Sequence, residues 1–182
     1  MAVTAVRRAL AAAMLIASPA LTAQTGEPPK TSEPPAPGVS ASLDSVRAER
    51  GARMSVAIIT YGPGEFVFEK FGHIALALAD SSTGQDIAFN WGMFDFGQPT
   101  GDTKYWMEGY RTADFNAAYT GENRTIRKLE LRLSAVQRGA IADYVRWNAQ
   151  DANKYYRYDY YGDNCATRVR DLLNWALRGQ LD

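Results

Sequence analysis

The 182-residue chain has a single cysteine, Cys165, and a single histidine, His73. One cysteine excludes an internal disulfide, and no CxxC or HxxxH spacing exists. One thiol and one imidazole cannot close a zinc shell without carboxylates, so no metal site is expected. Excess charge is missing too: Lys and Arg number 20, as do Asp and Glu. A nucleic-acid binder carries a basic excess, so that class is excluded, and no acidic tract occurs. There is no GxSxG elbow, no phosphate-binding glycine loop and no internal repeat. No cofactor is therefore expected. The apolar run Ala9 to Ala17 falls short of the ~20 residues that a membrane-spanning helix needs.

That run has the marks of an export signal. Arg7 and Arg8 precede it, and small residues follow from Ser18 to Ala23, with cleavage expected after Ala20 or Ala23. No cysteine follows the run, so a bacterial lipid anchor on this chain is not expected. Gln24 to Ser40 is rich in proline and small polar residues, too poor in apolar area to fold. Folding begins between Ala41 and Met54. The reading is a signal over 1–23, a disordered Pro-rich linker over 24–45 and one periplasmic domain over 46–182. Exported domains usually pair their cysteines, so an unpaired one stands out as a free reactive thiol.

Ser55 to Tyr61 is almost continuously apolar and ends at Gly62-Pro63-Gly64, which predicts a buried strand and a turn. Glu65 to Phe71 alternates loosely, with Phe66 and Phe68 on one side. Gly72-His73 opens a second strand through Ala79, Asp80 to Gly84 forms a hairpin turn, and Asp86 to Trp91 returns as a third strand. Between Gly92 and Asn123 the pattern predicts a helix near Ala113 to Tyr119. The rest reads as an aromatic-rich loop that covers the core or lines a groove for an acyl chain or peptide. Arg124 to Leu133 predicts a strand with Leu129, Leu131 and Leu133 inward. Ser134 and Gln137 form a capping box for a helix to about Asn148, with Val136, Ile141, Tyr144 and Val145 inward. Asn153 to Gly162 is a tyrosine-rich approach to a further helix. Asp163 or Asn164 can cap that helix, and Cys165, Val169, Leu172, Leu173, Ala176 and Leu177 make its apolar stripe, with Gly179 as a stop. The fold class is α+β, a small antiparallel sheet packed against helices, with the cysteine at a helix N-terminus.

A thiol at the positive end of a helix dipole favours its thiolate, so a lowered Cys165 pKa is expected, with Asp163 opposing it. A thiol nucleophile also needs a base, and His73 is the one imidazole. The plainer alternative makes Cys165 a small buried hydrophobe and His73 a structural residue at a strand end. Asn90 is the first candidate to orient the imidazole, since its strand is the expected hairpin partner of the His73 strand. Asp95 and Glu69 follow it. Backbone N–H groups at the helix start can stabilise an oxyanion. Asn164, Asp163, Tyr160, Glu69 and Arg168 complete the candidates around the pair.

The segments TYGPGEFVFEKFGHIAL, FNWGMFDFGQP and YRYDYYGDNCATRVRD resemble the Lnb N-terminal periplasmic domain family, over Met54 to Leu181. The resemblance implies a circularly permuted papain-like domain, in which the histidine strand precedes the cysteine helix. Relatives of lecithin:retinol acyltransferase share that order. It also implies a covalent thioester route, with Cys165 of the NC pair as nucleophile and His73 of FGH as its base. The enzyme that names the family moves an acyl chain within a lipoprotein's lipid-modified N-terminus. The expected activity is therefore an exported thiol acyltransferase or hydrolase acting on acyl esters of lipids or lipoproteins. The expected partner is an acyl-lipid or lipoprotein substrate at a membrane surface, with no nucleic acid and no metal. Two alternatives stay open: a papain-like cell-wall or peptide amidase, and a non-catalytic periplasmic binding or scaffold module.

Overall fold

Three consecutive apolar segments build the centre of the fold. A computed structural model describes residues 41–95 and 104–178. In it the strands are β1 (Met54–Tyr61), β2 (His73–Asp80), β3 (Gln85–Phe94), β4 (Lys104–Arg111), β5 (Ile126–Glu130) and β6 (Tyr155–Arg157). Four helices join them: α1 (Ala41–Gly51), α2 (Thr112–Gly121), α3 (Ala135–Asn148) and α4 (Cys165–Ala176). The strands form one antiparallel sheet in the order β5-β1-β2-β3-β4-β6. The domain is α+β, as the segment pattern predicts.

Alternation along the strands divides the core between two faces. Val56, Leu76, Trp91 and Met107 face one way, against Ile141 and Val145 of α3 and Val169 and Leu172 of α4. Ala57, Ile59, Tyr61, Ala75, Ala77 and Ala88 face the other way, toward Phe115 of α2. Fully burying a side chain such as Leu172 or Val169 contributes about 1.5–3 kcal/mol. The predicted stripe of α4 therefore docks that helix onto the sheet. The capping box of α3 also forms, with the Gln137 N–H donating to Ser134 Oγ at 3.2 Å and the Ser134 N–H to Gln137 Oε1 at 2.8 Å.

Four expectations change. The stretch read as an aromatic loop contains β4, whose adjacent Tyr105, Trp106 and Met107 hide the period of two because both faces carry apolar groups. The tyrosine-rich approach contains β6, too short to announce itself by alternation. Leu129 is 63% exposed, because β5 is an edge strand and its outer positions are left uncovered. Helix α1 starts at Ala41, so residues 41–45 are helical rather than linker. The export signal, the linker as far as residue 40 and Gly179 lie outside the described residues.

Candidate functional site

The site forms where a hairpin opens. β2 and β3 pair from Asp80↔Gln85 up to Leu76↔Phe89, and the ladder stops there. Beyond that point β3 is held by side chains. The Trp91 indole N–H donates to Asn148 Oδ1 at 2.7 Å, and the Tyr156 hydroxyl donates to the Trp91 carbonyl at 2.9 Å. The pairing of β3 with β4 shifts register between Trp91 and Met93, which makes Gly92 a bulge. Gly92 also leaves room for its neighbours: a Cβ there would sit 2.9 Å from His73 Cε1 and 3.0 Å from Asn90 Oδ1.

In that opening His73 Nε2 lies 2.6 Å from Asn90 Oδ1. An amide oxygen only accepts, so Nε2 carries the proton and Nδ1 keeps a free lone pair. Tyr61, Phe115 and Tyr119 surround the imidazole, with the Tyr119 ring 2° from parallel to it at 6.3 Å. Tyr61 is itself fixed by donating its hydroxyl to Asn116 Oδ1 of α2 at 2.8 Å.

The sulfur arrives on the first residue of α4. Asn164 caps this helix: its Oδ1 accepts from the Ala166 and Thr167 N–H groups at 3.0 and 3.1 Å. Its Nδ2 donates to the Tyr160 carbonyl at 2.9 Å, so both ends of the side chain are committed to the cap. Arg168 makes a two-pronged ion pair with Asp163, Nη2 to Oδ2 at 2.6 Å, and its guanidinium covers the Tyr156 ring at 4.4 Å. The Asp163 carboxylate is thereby neutralised. The Ile74 N–H, at the start of β2 where β3 has pulled away, is among the backbone groups that favour the Cys165 thiolate.

Cys165, His73, Asn90, Tyr119, Arg124 and Phe68 are among the side chains lining one cleft of about 620 Å³. Burial pushes the Cys165 thiol up, outweighing backbone donors from Ile74, Ala166 and Cys165 that favour thiolate. This corrects the expected lowering: losing water costs the thiolate more than the helix terminus returns. Burial likewise pulls His73 down to about 4, assisted by the Arg124 charge and opposed by the Asn90 bond. At neutral pH the cleft therefore holds a thiol and a neutral imidazole rather than a thiolate and an imidazolium.

Of the candidates to orient His73, Asn90 is hydrogen-bonded to it. Glu69 instead pairs with Arg124 at 3.4 Å and accepts the Phe66 N–H at 3.2 Å. Tyr160 packs its ring edge-on against Phe71 at 5.1 Å on the cleft rim. Arg124, Tyr119 and Gly92 are site residues that sequence reasoning missed. Arg124 is buried, donates from Nε to the Gly62 carbonyl at 2.8 Å and stands over the Tyr119 ring at 4.5 Å. A glycine just past Asn90 on the partner strand was the one available signal. No group of three or more His, Cys, Asp or Glu that can hold a metal exists among the described residues.

The molecule thus belongs to the class of α+β domains in which a helix-borne thiol and a strand-borne imidazole share one aromatic cleft. The model of the Lnb N-terminal periplasmic domain matches residues 47–182, and the chain belongs to that family. The family name marks a periplasmic domain, and among the described residues no helix is long and apolar enough to cross a membrane. No curated protein matches the chain.

Proposed function

We propose that this domain is an exported thiol acyltransferase or hydrolase acting on acyl esters of lipids or lipoproteins. The observation that carries it is the His73 Nε2 to Asn90 Oδ1 bond of 2.6 Å, which leaves Nδ1 free as a base in the cleft that holds Cys165. His73 Nδ1 takes the thiol proton as the sulfur attacks the acyl carbonyl. The oxyanion faces the Cys165 N–H; the Ala166 and Thr167 N–H groups already serve the Asn164 cap. Collapse breaks the ester C–O bond, His73 returns the proton to the departing alcohol, and a thioester remains on Cys165. Water or an amine then attacks the thioester carbonyl, gives its proton to His73 and releases the thiol. The chain order, histidine strand before cysteine helix, supports a permuted papain-like arrangement. The aromatic lining of the cleft favours an acyl chain over a polar peptide.

Incubation with p-nitrophenyl esters of fatty acids tests this. Intact mass is expected to rise by one acyl group, removable with hydroxylamine and absent in Cys165→Ala. In His73→Ala the adduct should form about 100-fold more slowly. A wild-type protein that gains no acyl group points to a binding or scaffold module. An adduct formed only with cell-wall peptide amides makes it an amidase.

A further inference from the structure

We propose that the cleft mouth is a lipid-docking surface. The turn carrying Val67 and Phe71, with Tyr160 and Tyr161 beside it, inserts into the interfacial layer of a phospholipid bilayer. The idea names the surface on which the acyl-ester reading would meet its substrate, and it rests on that reading for its purpose alone. Val67 is 85% exposed, Phe71 78% and Tyr161 88%, with Phe66, Phe68 and Tyr160 partly exposed beside them. Two segments far apart in the chain meet here, Phe71 against Tyr160, and Val67, Phe68, Phe71 and Tyr160 also line the cleft of Cys165 and His73. Other exposed apolar residues, such as Val46 and Leu129, lie outside that cleft. A continuous patch on the rim of a site marks an interaction surface, whereas scattered apolar residues need no explanation.

Two features make the occupant a lipid surface. The first is the treatment of charge. Glu69 is engaged by Arg124, Asp163 by Arg168, and Asp159 by the N–H groups of Tyr161 and Gly162 at 2.9 and 2.6 Å. These three carboxylates are tied to donors of the fold; Glu65 stays exposed in the turn, and Lys70, also exposed and donating to the Gly64 carbonyl at 3.3 Å, is the turn's cation for phosphate headgroups. The second is the backbone of the turn. The N–H of Gly64 reaches the Glu69 carbonyl at 3.1 Å, that of Phe66 reaches Glu69 Oε2 at 3.2 Å, and that of Glu69 reaches the Phe66 carbonyl at 2.9 Å. The Gly72 N–H closes on the Glu69 carbonyl at 2.9 Å. A segment entering a medium without water gains from satisfying its own backbone, and these four bonds satisfy part of it. Phenylalanine and tyrosine are also the side chains that settle at a membrane–water boundary.

The test is co-sedimentation of the full chain with vesicles of phosphatidylethanolamine and phosphatidylglycerol. Wild type is expected to sediment, and to keep doing so at about 0.5 M salt, where screening leaves apolar insertion intact. The triple variant Val67→Ser, Phe71→Ser, Tyr161→Ser should lose about tenfold or more of its partitioning while keeping the wild-type thermal midpoint. A Val46→Ser, Leu129→Ser control, equally apolar but off the rim, should sediment like wild type. Cys165→Ala should also sediment like wild type, so a failure of the acyl-transfer reading and a failure of docking are told apart. Wild type left in the supernatant, binding abolished by salt, or a triple variant that sediments unchanged would each overturn the proposal. In the first case the rim becomes a surface for a protein partner.

Discussion

The β2–β3 hairpin has two ends built on opposite principles. At its closed end Asp80 Oδ1 accepts the Ser82 N–H at 2.9 Å and the Ser82 hydroxyl at 2.6 Å, and Gly84 takes a φ of 70° with nothing near its absent side chain. Those partners are sequence neighbours, and a distant tie comes from Ser81, whose N–H and hydroxyl donate to the Arg53 carbonyl at 2.9 and 3.0 Å. At the open end Trp91 is held from α3 and β6, and the sulfur in the cleft comes from α4. One end closes the chain; the other gathers side chains that the hairpin alone cannot place. Substitutions at the closed end should therefore register as stability, and those at the open end as reactivity.

Gly92→Ala should break the open end hardest. The new Cβ must displace either the imidazole or the Asn90 amide, and a shift of that kind costs thioester formation about 100-fold. Stopped-flow release of p-nitrophenol at matched thermal midpoints is the check, and an unaltered rate would mean that the imidazole position is irrelevant.

Acid is the next largest lever. The unfolded chain protonates His73 near 6.5, the folded chain only near 4. Between those values the unfolded state binds more protons, so stability present above pH 6.5 is lost as pH falls toward 4. The shift from 6.5 to about 4 corresponds to a loss of about 3 kcal/mol. Urea midpoints across that range should fall for wild type and stay flat for His73→Gln.

Asn90→Ala removes the acceptor that fixes the ring, with an expected rate loss on the order of tenfold. The Asn90 bond raises the His73 pKa, so its removal should move the acid limb of the rate profile to lower pH. An acid limb that stays put would argue against the bond. Gly84→Ala completes the comparison from the other side. A left-handed φ strains alanine by about 1 kcal/mol, lowering the thermal midpoint, while the acylation rate should not change.

The same contrast explains what could be read from the sequence. The turn at Asp80, the capping box at Ser134 and the stripe of α4 rest on neighbours three or four residues apart, so local rules reached them. Asn90 was within reach because a hairpin brings its strand back to His73. Arg124 was not: it reads as the head of a strand, and only the fold carries it to Glu69 and Tyr119. The pKa of Cys165 misled for a related reason. The helix terminus is a local feature, but the burial that overrides it comes from rings and strands distributed along the whole chain.

The split between the two ends of the hairpin also sets an order in time. His73 and Asn90 are separated by 17 positions and close as a local turn, whereas the sulfur lies some ninety residues beyond His73. Chain entropy makes the near closure fast and the distant one slow. On that ground the imidazole and its amide are expected to assemble before α4 docks through Val169 and Leu172 and brings the thiol. Until then the chain carries an ordinary cysteine with no base beside it. On the proposed thiol chemistry, reactivity at this site would be gained only on completion of folding.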